Sequence, residues 1–227
     1  MGGRSEAKSG RSEPTPREHN RAERTRAAIC EAGLEVFLRE GFSGAGVDEI
    51  VALASVSKQT VYKHFSDKRG FFAAVILSTI DTTYDRYAPA LGALTGAKRL
   101  GWELRSFARL LLGAVMVPDV LQIRRLMIAE ANRFPDLGRV YYERTYERST
   151  VAMASAFEDL AQRGLLRVQD PTLAAHHFIW LVVGVPRNKV MLCGDQIRFS
   201  SAELRRHADA ATRAFLAIYG TEPTMPA

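Results

Sequence analysis

The stretch Val47 to Phe65, VDEIVALASVSKQTVYKHF, leaves the chain few folds to choose from. Val47, Ile50, Val51 and Ala54 fall at i, i+3, i+4 and i+7, which predicts a short helix with one apolar face. A turn at Ser55 and Val56 follows, and Ser57 is placed to cap a second helix by accepting a backbone N–H bond from its first turn. That helix has two inward apolar residues, Val61 and Phe65, while Lys58, Gln59, Thr60, Tyr62, Lys63 and His64 point outward. Isolated helices shorter than ~12–15 residues are marginal in water, so this one must be docked on others.

The outward face holds no Asp or Glu and suits the major groove of DNA. Lys, Thr, Tyr and His bond phosphate, Gln pairs with an adenine edge, and Lys reaches guanine O6 and N7. Ser66 is the expected cap of the next helix, which puts Lys68 and Arg69 in a first turn where cations oppose the helix dipole. An anionic partner offsets that cost. The candidate DNA-binding residues are therefore Ser57, Lys58, Gln59, Thr60, Tyr62, Lys63, His64 and Lys68. Taken singly, each is as readily a solvated surface residue; the block as a whole is not.

Ile50 to Ala54, Val56-Ser57-Lys58, Thr60-Val61-Tyr62, His64-Phe65 and Lys68 resemble the helix-turn-helix of the TetR family of bacterial transcriptional repressors. Family members commonly carry Gly where this chain has Ser55, which implies a non-Gly residue in a turn conformation that favours Gly. They also commonly carry a phosphate-bonding Thr where this chain has Ala45 and Gly46. A looser resemblance to the C-terminal half of one TetR subgroup runs through Arg124-Arg125-Leu126, Ala129-Glu130-Ala131, Arg133 to Leu137, Arg163 to Leu166, Asp170-Pro171 and Ala174-Ala175. The resemblance implies a ligand-responsive repressor whose C-terminal domain dimerises and holds a small-molecule pocket.

The rest of the chain is helical in pattern, so the expected fold is all-α: a three-helix DNA-binding domain and a larger helical regulatory domain, about nine helices in all. Residues 1–19 mix Gly, Ser, Pro and both signs of charge and read as a disordered arm, a solvated tail more than a DNA-tracking one because Glu6, Glu13 and Glu18 dilute its cations. Residues 20–66 form the DNA-binding domain: Ile29, Ala32, Gly33, Val36 and Phe37 make one stripe, and Gly41 ends that helix. The regulatory domain spans 67–220, with a tail at 221–227. It opens with a connector from Asp67 to about Leu94, able to carry a change above down to the reader. Helices over Leu100–Val115, Val120–Asn132, Leu137–Gln162, Thr172–Met191 and Ser201–Tyr219 follow.

The length of 227 residues, 47% hydrophobic and 25% charged, is ample for a soluble globular core. The net charge of +6 suits a nucleic-acid partner, with a local bias over residues 57–70 of four cations against one anion. Two distant cysteines, Cys30 and Cys193, lack metal-ligand spacing and fit a reducing cytoplasm. No apolar run of membrane-spanning length is present, so no membrane partner is expected.

Leu173 to Val185 is apolar nearly all the way round and needs cover on two sides. On the last helix Leu204, Ala208, Ala211, Phe215 and Ile218 form one stripe, and Ala210, Ala214 and Ala217 a second that permits close approach. These features predict a homodimer through Phe178, Leu181, Val182, Leu204, Ala208, Ala211, Phe215 and Ile218, isologous about a twofold axis. Two recognition helices on a palindromic operator then sit about 34–36 Å apart or a multiple of it. The alternative is a monomer with an all-buried helix.

No catalytic constellation, cofactor motif or metal site is visible; His176 and His177 are adjacent and diverge by about 100° on a helix. The candidate effector pocket combines Trp102, Phe107, Met116, Met127, Phe134 and Trp180 as walls with Glu130 or His177 as polar anchors, and favours a hydrophobic or aromatic effector. The reading is a sequence-specific DNA-binding regulator released by a small molecule. Its alternatives are an activator of the same architecture, and a helical binding protein with a weakened DNA reader.

Overall fold

The computed structural model describes residues 16–221, all side chains from Asn20 onward except that of Asp195. The expected tail at 222–227 and the expected arm up to residue 15 lie outside these. From Pro16 the chain is already helical, four residues before the expected start, since proline's fixed φ is suited to a helix's first position. The first element, α1 (Pro16–Gly44), is broken at Gly41, whose φ of 68° lets the chain turn so that Phe42 tucks beneath the helix it has left.

Next come α2 (Val47–Leu53) and α3 (Lys58–His64), then α4 (Lys68–Asp85). The connector is shorter than expected. Pro89 lacks an N–H and its ring would meet the carbonyl four residues back, so the helix stops at Asp85 and a separate α5 (Ala88–Gly92) begins with the proline near its start. The same logic places α6 (Leu100–Val115), α7 (Pro118–Glu130) and α8 (Pro135–Tyr142), where Pro118 and Pro135 open the helix that follows as well as closing the one before. A π-helical turn over Glu143–Glu147 joins α8 to α9 (Arg148–Gln162), so the long helix expected at 137–162 is one rod with a bulge. Finally α10 (Pro171–Cys193) and α11 (Ser201–Tyr219) pack on each other and on α6 and α9, and Ser200 and Glu203 close a capping box at the start of α11. The described residues contain no strand.

Two apolar cores organise these helices. The lower one gathers Ile29, Val36 and Phe37 of α1 with Ile50, Val61 and Phe65 of the reader and Phe71, Phe72 and Ile76 of α4, and takes in Ile123, Met127, Phe134 and Leu137 of the α7–α8 region. The upper one is built from α5, α6, α9, α10 and α11 around Phe107, Phe157, Phe178 and Phe215. Packing of the reader thus extends past residue 66 into the regulatory part.

The upper core takes up five of the eight expected dimer contacts. Phe178, Val182, Ala208, Ala211 and Phe215 are closed inside the single chain, because α10 and α11 turn their strongest apolar stripes on each other and on Phe107 and Phe157. Leu181 and Leu204 are half-buried and Ile218 is exposed. The outward face instead carries the second stripe, Ala210, Ala214 and Ala217, with Val185 and Leu192 exposed on α10.

Gly33 sets the distance between α1 and α4. A Cβ there would lie 2.3 Å from Cζ of Phe71, whose ring is held by Phe37 and Phe65 and cannot easily yield. Gly33→Ala is expected to lower stability by roughly 1–3 kcal/mol through overpacking, despite the better helix propensity of Ala. Urea unfolding followed by circular dichroism measures this, and an unchanged or raised midpoint would show that α4 stands off α1 more freely.

Candidate nucleic-acid interface and effector cavity

The reader is built as its sequence dictates. Ser57 accepts a hydrogen bond from the Thr60 backbone N–H at 3.1 Å, and the two hydroxyls pair at 2.8 Å, so the Thr60 side chain is partly occupied within the protein. Val61 and Phe65 are buried against the lower core. Gln59, Tyr62 and Lys63 stand free on the outer face, and His64 leans on Phe65 with 6.2 Å between ring centroids. Lys58 is exposed but engaged: its ammonium is 2.8 Å from Asp48 of α2, whose hydrogen bond and charge hold the Lys58 pKa above its usual value. Exposed pairs of this kind are weak, and a phosphate can replace the carboxylate.

The residues flanking that face are engaged within the protein or differ from expectation. Asp67, not Ser66, caps α4, accepting from Gly70 N–H at 2.7 Å, which makes Lys68 the first residue of that helix. The Lys68 ammonium lies 5.0 Å from the Phe42 ring centroid and 3.4 Å from the Ser43 carbonyl, and it must swing off these to meet a phosphate. Ser55 has φ of 52°, the left-handed conformation in the turn where Gly is favoured. Gly46 caps α2 without a side-chain bond.

Above the reader, between the lower and upper cores, lies a cavity of about 730 Å³ bounded by α4, α6, α7, α8, α9 and α10. Its size is in the usual range for small-molecule sites. Of the expected pocket residues Met127 and Trp180 line it. The others do not. Trp102 is exposed on α6; Phe107 stacks on Phe178 in the upper core; Met116 is half-buried at the end of α6; Phe134 packs edge-on against Phe42 at 4.6 Å. Of the proposed anchors, Glu130 sits 4.0 Å from Arg133, and His177 bonds the Tyr219 hydroxyl at 2.6 Å on the far side of α10. Periodicity marks which residues face inward but not which of two inward directions holds a void.

The polar groups at the cavity include Arg124, Arg144, Arg187, His176 and the tyrosines 141, 142 and 146, with hydroxyls from Thr79, Thr83, Thr145 and Ser149, and no Asp or Glu among the described residues lines it. Arg144 pairs with Asp81 at 3.0 Å. Burial pushes the Tyr141 hydroxyl up despite its hydrogen bond and charge interaction with Arg124, so it stays neutral. Burial first, and Arg124 second, bring Arg187 down to about 10. One signal for Arg187 is in the sequence: it is the first full charge after Asp170, ending the uncharged stretch from Pro171 to Pro186.

With this geometry in place, kinship is decisive. Residues 102–221, just over half the chain, match the family described as AefR-like transcriptional repressor, C-terminal domain, and residues 29–75 match bacterial regulatory proteins, tetR family. The chain belongs to the TetR family. A protein from Mesorhizobium loti assigned to that family superposes with a TM-score of 0.83 at 41% identity, covering 88% of this chain and 99% of that one. The flavonoid-responsive regulator FrrA superposes with a TM-score of 0.70 at 27% identity over 88% of this chain and 100% of its own. The HTH-type transcriptional regulator SrpR of Pseudomonas putida is 35% identical over 107 residues, a stretch spanning 47% of each chain, so the match covers about half of that curated relative. TetR proteins are transcriptional regulators and not enzymes, in keeping with the missing catalytic motifs.

Ser55 gives the testable consequence for the TetR turn. The left-handed conformation costs a non-Gly residue ~1–2 kcal/mol, of which the greater freedom of unfolded Gly takes back about half. Ser55→Gly is therefore expected to stabilise the protein by roughly 0.5–1 kcal/mol, read as a higher urea midpoint at constant m-value. A lower midpoint would mean that the Ser55 side chain contributes a contact outweighing the strain.

Proposed function

We propose that this TetR protein is a cytoplasmic homodimeric repressor that occupies a palindromic operator and leaves it when a small molecule fills the cavity. The observation that carries this reading is the cavity's position across the two cores: Ile80, Ile123 and Met127 belong to the core that holds the reader, while Tyr87, Leu111, Ile179 and Val183 belong to the upper core. A ligand there acts as a wedge. By favouring one spacing of α4 and α7 over another, it shifts the population away from the conformation that fits two half-sites.

On the operator, Gln59 and Lys58 read base edges, and Tyr62, Lys63, His64 and Lys68 hold phosphate. The dimer forms through the outward stripe of α11, Ala210, Ala214, Ala217 and Ile218, beside Val185 and Leu192 of α10, with Leu181 and Leu204 at its edge. Small residues there allow helices to approach closely. The name of FrrA, a flavonoid-responsive regulator, supports a small aromatic effector for this chain.

Fluorescence anisotropy of the protein on a labelled fragment of its own upstream region, at two salt concentrations and with excess random duplex, is the test. Tight, competitor-resistant binding is expected. Lys63→Ala should weaken all sequences alike and reduce the salt slope by about 1, whereas Gln59→Ala should cost ~1–3 kcal/mol at the cognate sequence and little elsewhere. Binding to the upstream region and to selected genomic fragments no tighter than to random duplex would sink the operator reading.

A further inference from the structure

Three arginines line the cavity, Arg124, Arg144 and Arg187, and no carboxylate among the described residues does. One face of α10 presents His176, Trp180, Val183 and Arg187 to it, at intervals of four, three and four residues. The Arg187 guanidinium lies 5.6 Å from the Trp180 ring centroid, and its Nε is buried with no hydrogen-bond partner. Arg124, from α7, is close enough to lower the Arg187 pKa, and its hydrogen bond goes to neutral Tyr141. Neither arginine has a carboxylate within ion-pair distance among the described residues, while the neighbouring arginines are engaged: Arg144 with Asp81, and Arg125 with the Val190 carbonyl at 2.7 Å.

Arg124 and Arg187 are half-buried, and a guanidinium withdrawn from water without a counter-charge is costly, which protein interiors normally offset with a carboxylate. Here the protein supplies an aromatic face on one side and open cavity on the other. At about 10, the Arg187 pKa is lowered but still leaves a cation at neutral pH. A group arriving through the cavity therefore meets a desolvated positive site with a free N–H donor, beside a phenol that can donate or accept. Most of the remaining wall is apolar, with Ile179, Val183, Leu111 and Met127 beside Trp180 in the lining, interrupted by the hydroxyls of Thr79, Thr83, Thr145 and Ser149.

We propose that the cavity selects an organic anion, specifically an aromatic carboxylate, whose acid group pairs with Arg187 and Arg124 while its ring lies against Trp180 and the apolar wall. The inference rests on the effector reading of the same cavity and narrows it to a charge class. Planar, bidentate carboxylate recognition is what a guanidinium does best. The aromatic ring accounts for the apolar wall, which a small inorganic anion would leave uncovered.

Calorimetric titration of the full chain with 2-naphthoate, its neutral isostere 2-naphthamide and 2-naphthylmethylammonium tests this. Naphthoate should bind at least tenfold more tightly than the amide, and the ammonium should bind least. Arg187→Met should erase the naphthoate preference while leaving amide binding within about twofold, and Arg124→Met should reduce it in part. Circular dichroism and operator binding of each variant show that it is folded, and Arg187→Gln replaces Arg187→Met if the latter is not. Equal affinity for naphthoate and naphthamide, or preference for the ammonium, would overturn the anion assignment while leaving an effector cavity in place. Absence of binding by all three compounds to protein that still holds its operator would overturn the effector reading and the assignment together.

Discussion

The lower core is held by a cluster of six phenylalanines. Phe37 and Phe42 come from α1, Phe65 from the end of α3, Phe71 and Phe72 from α4, and Phe134 from the joint between α7 and α8. Their rings meet at centroid distances of 4.6 to 6.4 Å, mostly tilted or edge-on, which suits the aromatic quadrupole. A seven-residue helix such as α3 has no stability of its own, and Val61 and Phe65 are its only deep anchors. The cluster converts that weak helix into a fixed DNA-reading surface. Cations lie over the rings from outside: Arg26 over Phe65, Lys68 and Arg133 over Phe42, and Arg69 over Phe134. The positive side of the reader is thus seated on its own core.

The same cluster ties the reader to the cavity. Phe134 stands at the α7–α8 joint, and α7 also carries Ile123 and Met127, which serve the lower core and line the cavity at once. Close-packed interiors change between discrete arrangements and do not deform smoothly. On the proposed reading, a ligand between α4 and α7 would therefore have few ways to be accommodated without moving rings that hold α3. The π turn at Glu143–Glu147 adds a local irregularity on the cavity wall, contributing Arg144, Thr145 and Tyr146 to it. Such turns are frequent at functional sites.

How much of this could be read from the chain alone follows from what periodicity reports. The all-helical class, the ends of α2 and α3, the Ser57 cap and the stripe on α1 were legible because short-range spacing and capping chemistry determine them. The break at Pro89 was legible in principle and was missed because the apolar spacing continues across it. Five residues of the expected dimer stripe are buried within the single chain for a deeper reason. Phe178, Val182, Ala208, Ala211 and Phe215 are the strongest apolar residues on α10 and α11, and the chain spends them on its own core. Strength of pattern does not separate an intramolecular face from an intermolecular one. The cavity was largely illegible: Phe107 and Phe134 look no different in sequence from Met127 and Trp180, and only the packing decides which border empty space.

The two clearest departures from local rules lie at the two ends of this arrangement. Ser55 holds a left-handed turn beside the recognition helix, and Arg187 is a half-buried cation whose buried Nε has no hydrogen-bond partner at the cavity. Natural sequences that otherwise satisfy their local preferences tend to break them at functional sites. The departures differ in kind. The strain at Ser55 is internal to the backbone, and its relief lies in a change of residue. The cost at Arg187 is electrostatic and can be relieved from outside, by whatever brings a negative charge into the cavity. Binding that relieves such a cost stabilises one conformation over others by the ligand's differential affinity. On the proposed reading, the unsatisfied guanidinium is both a local cost and the point at which an anionic ligand would act.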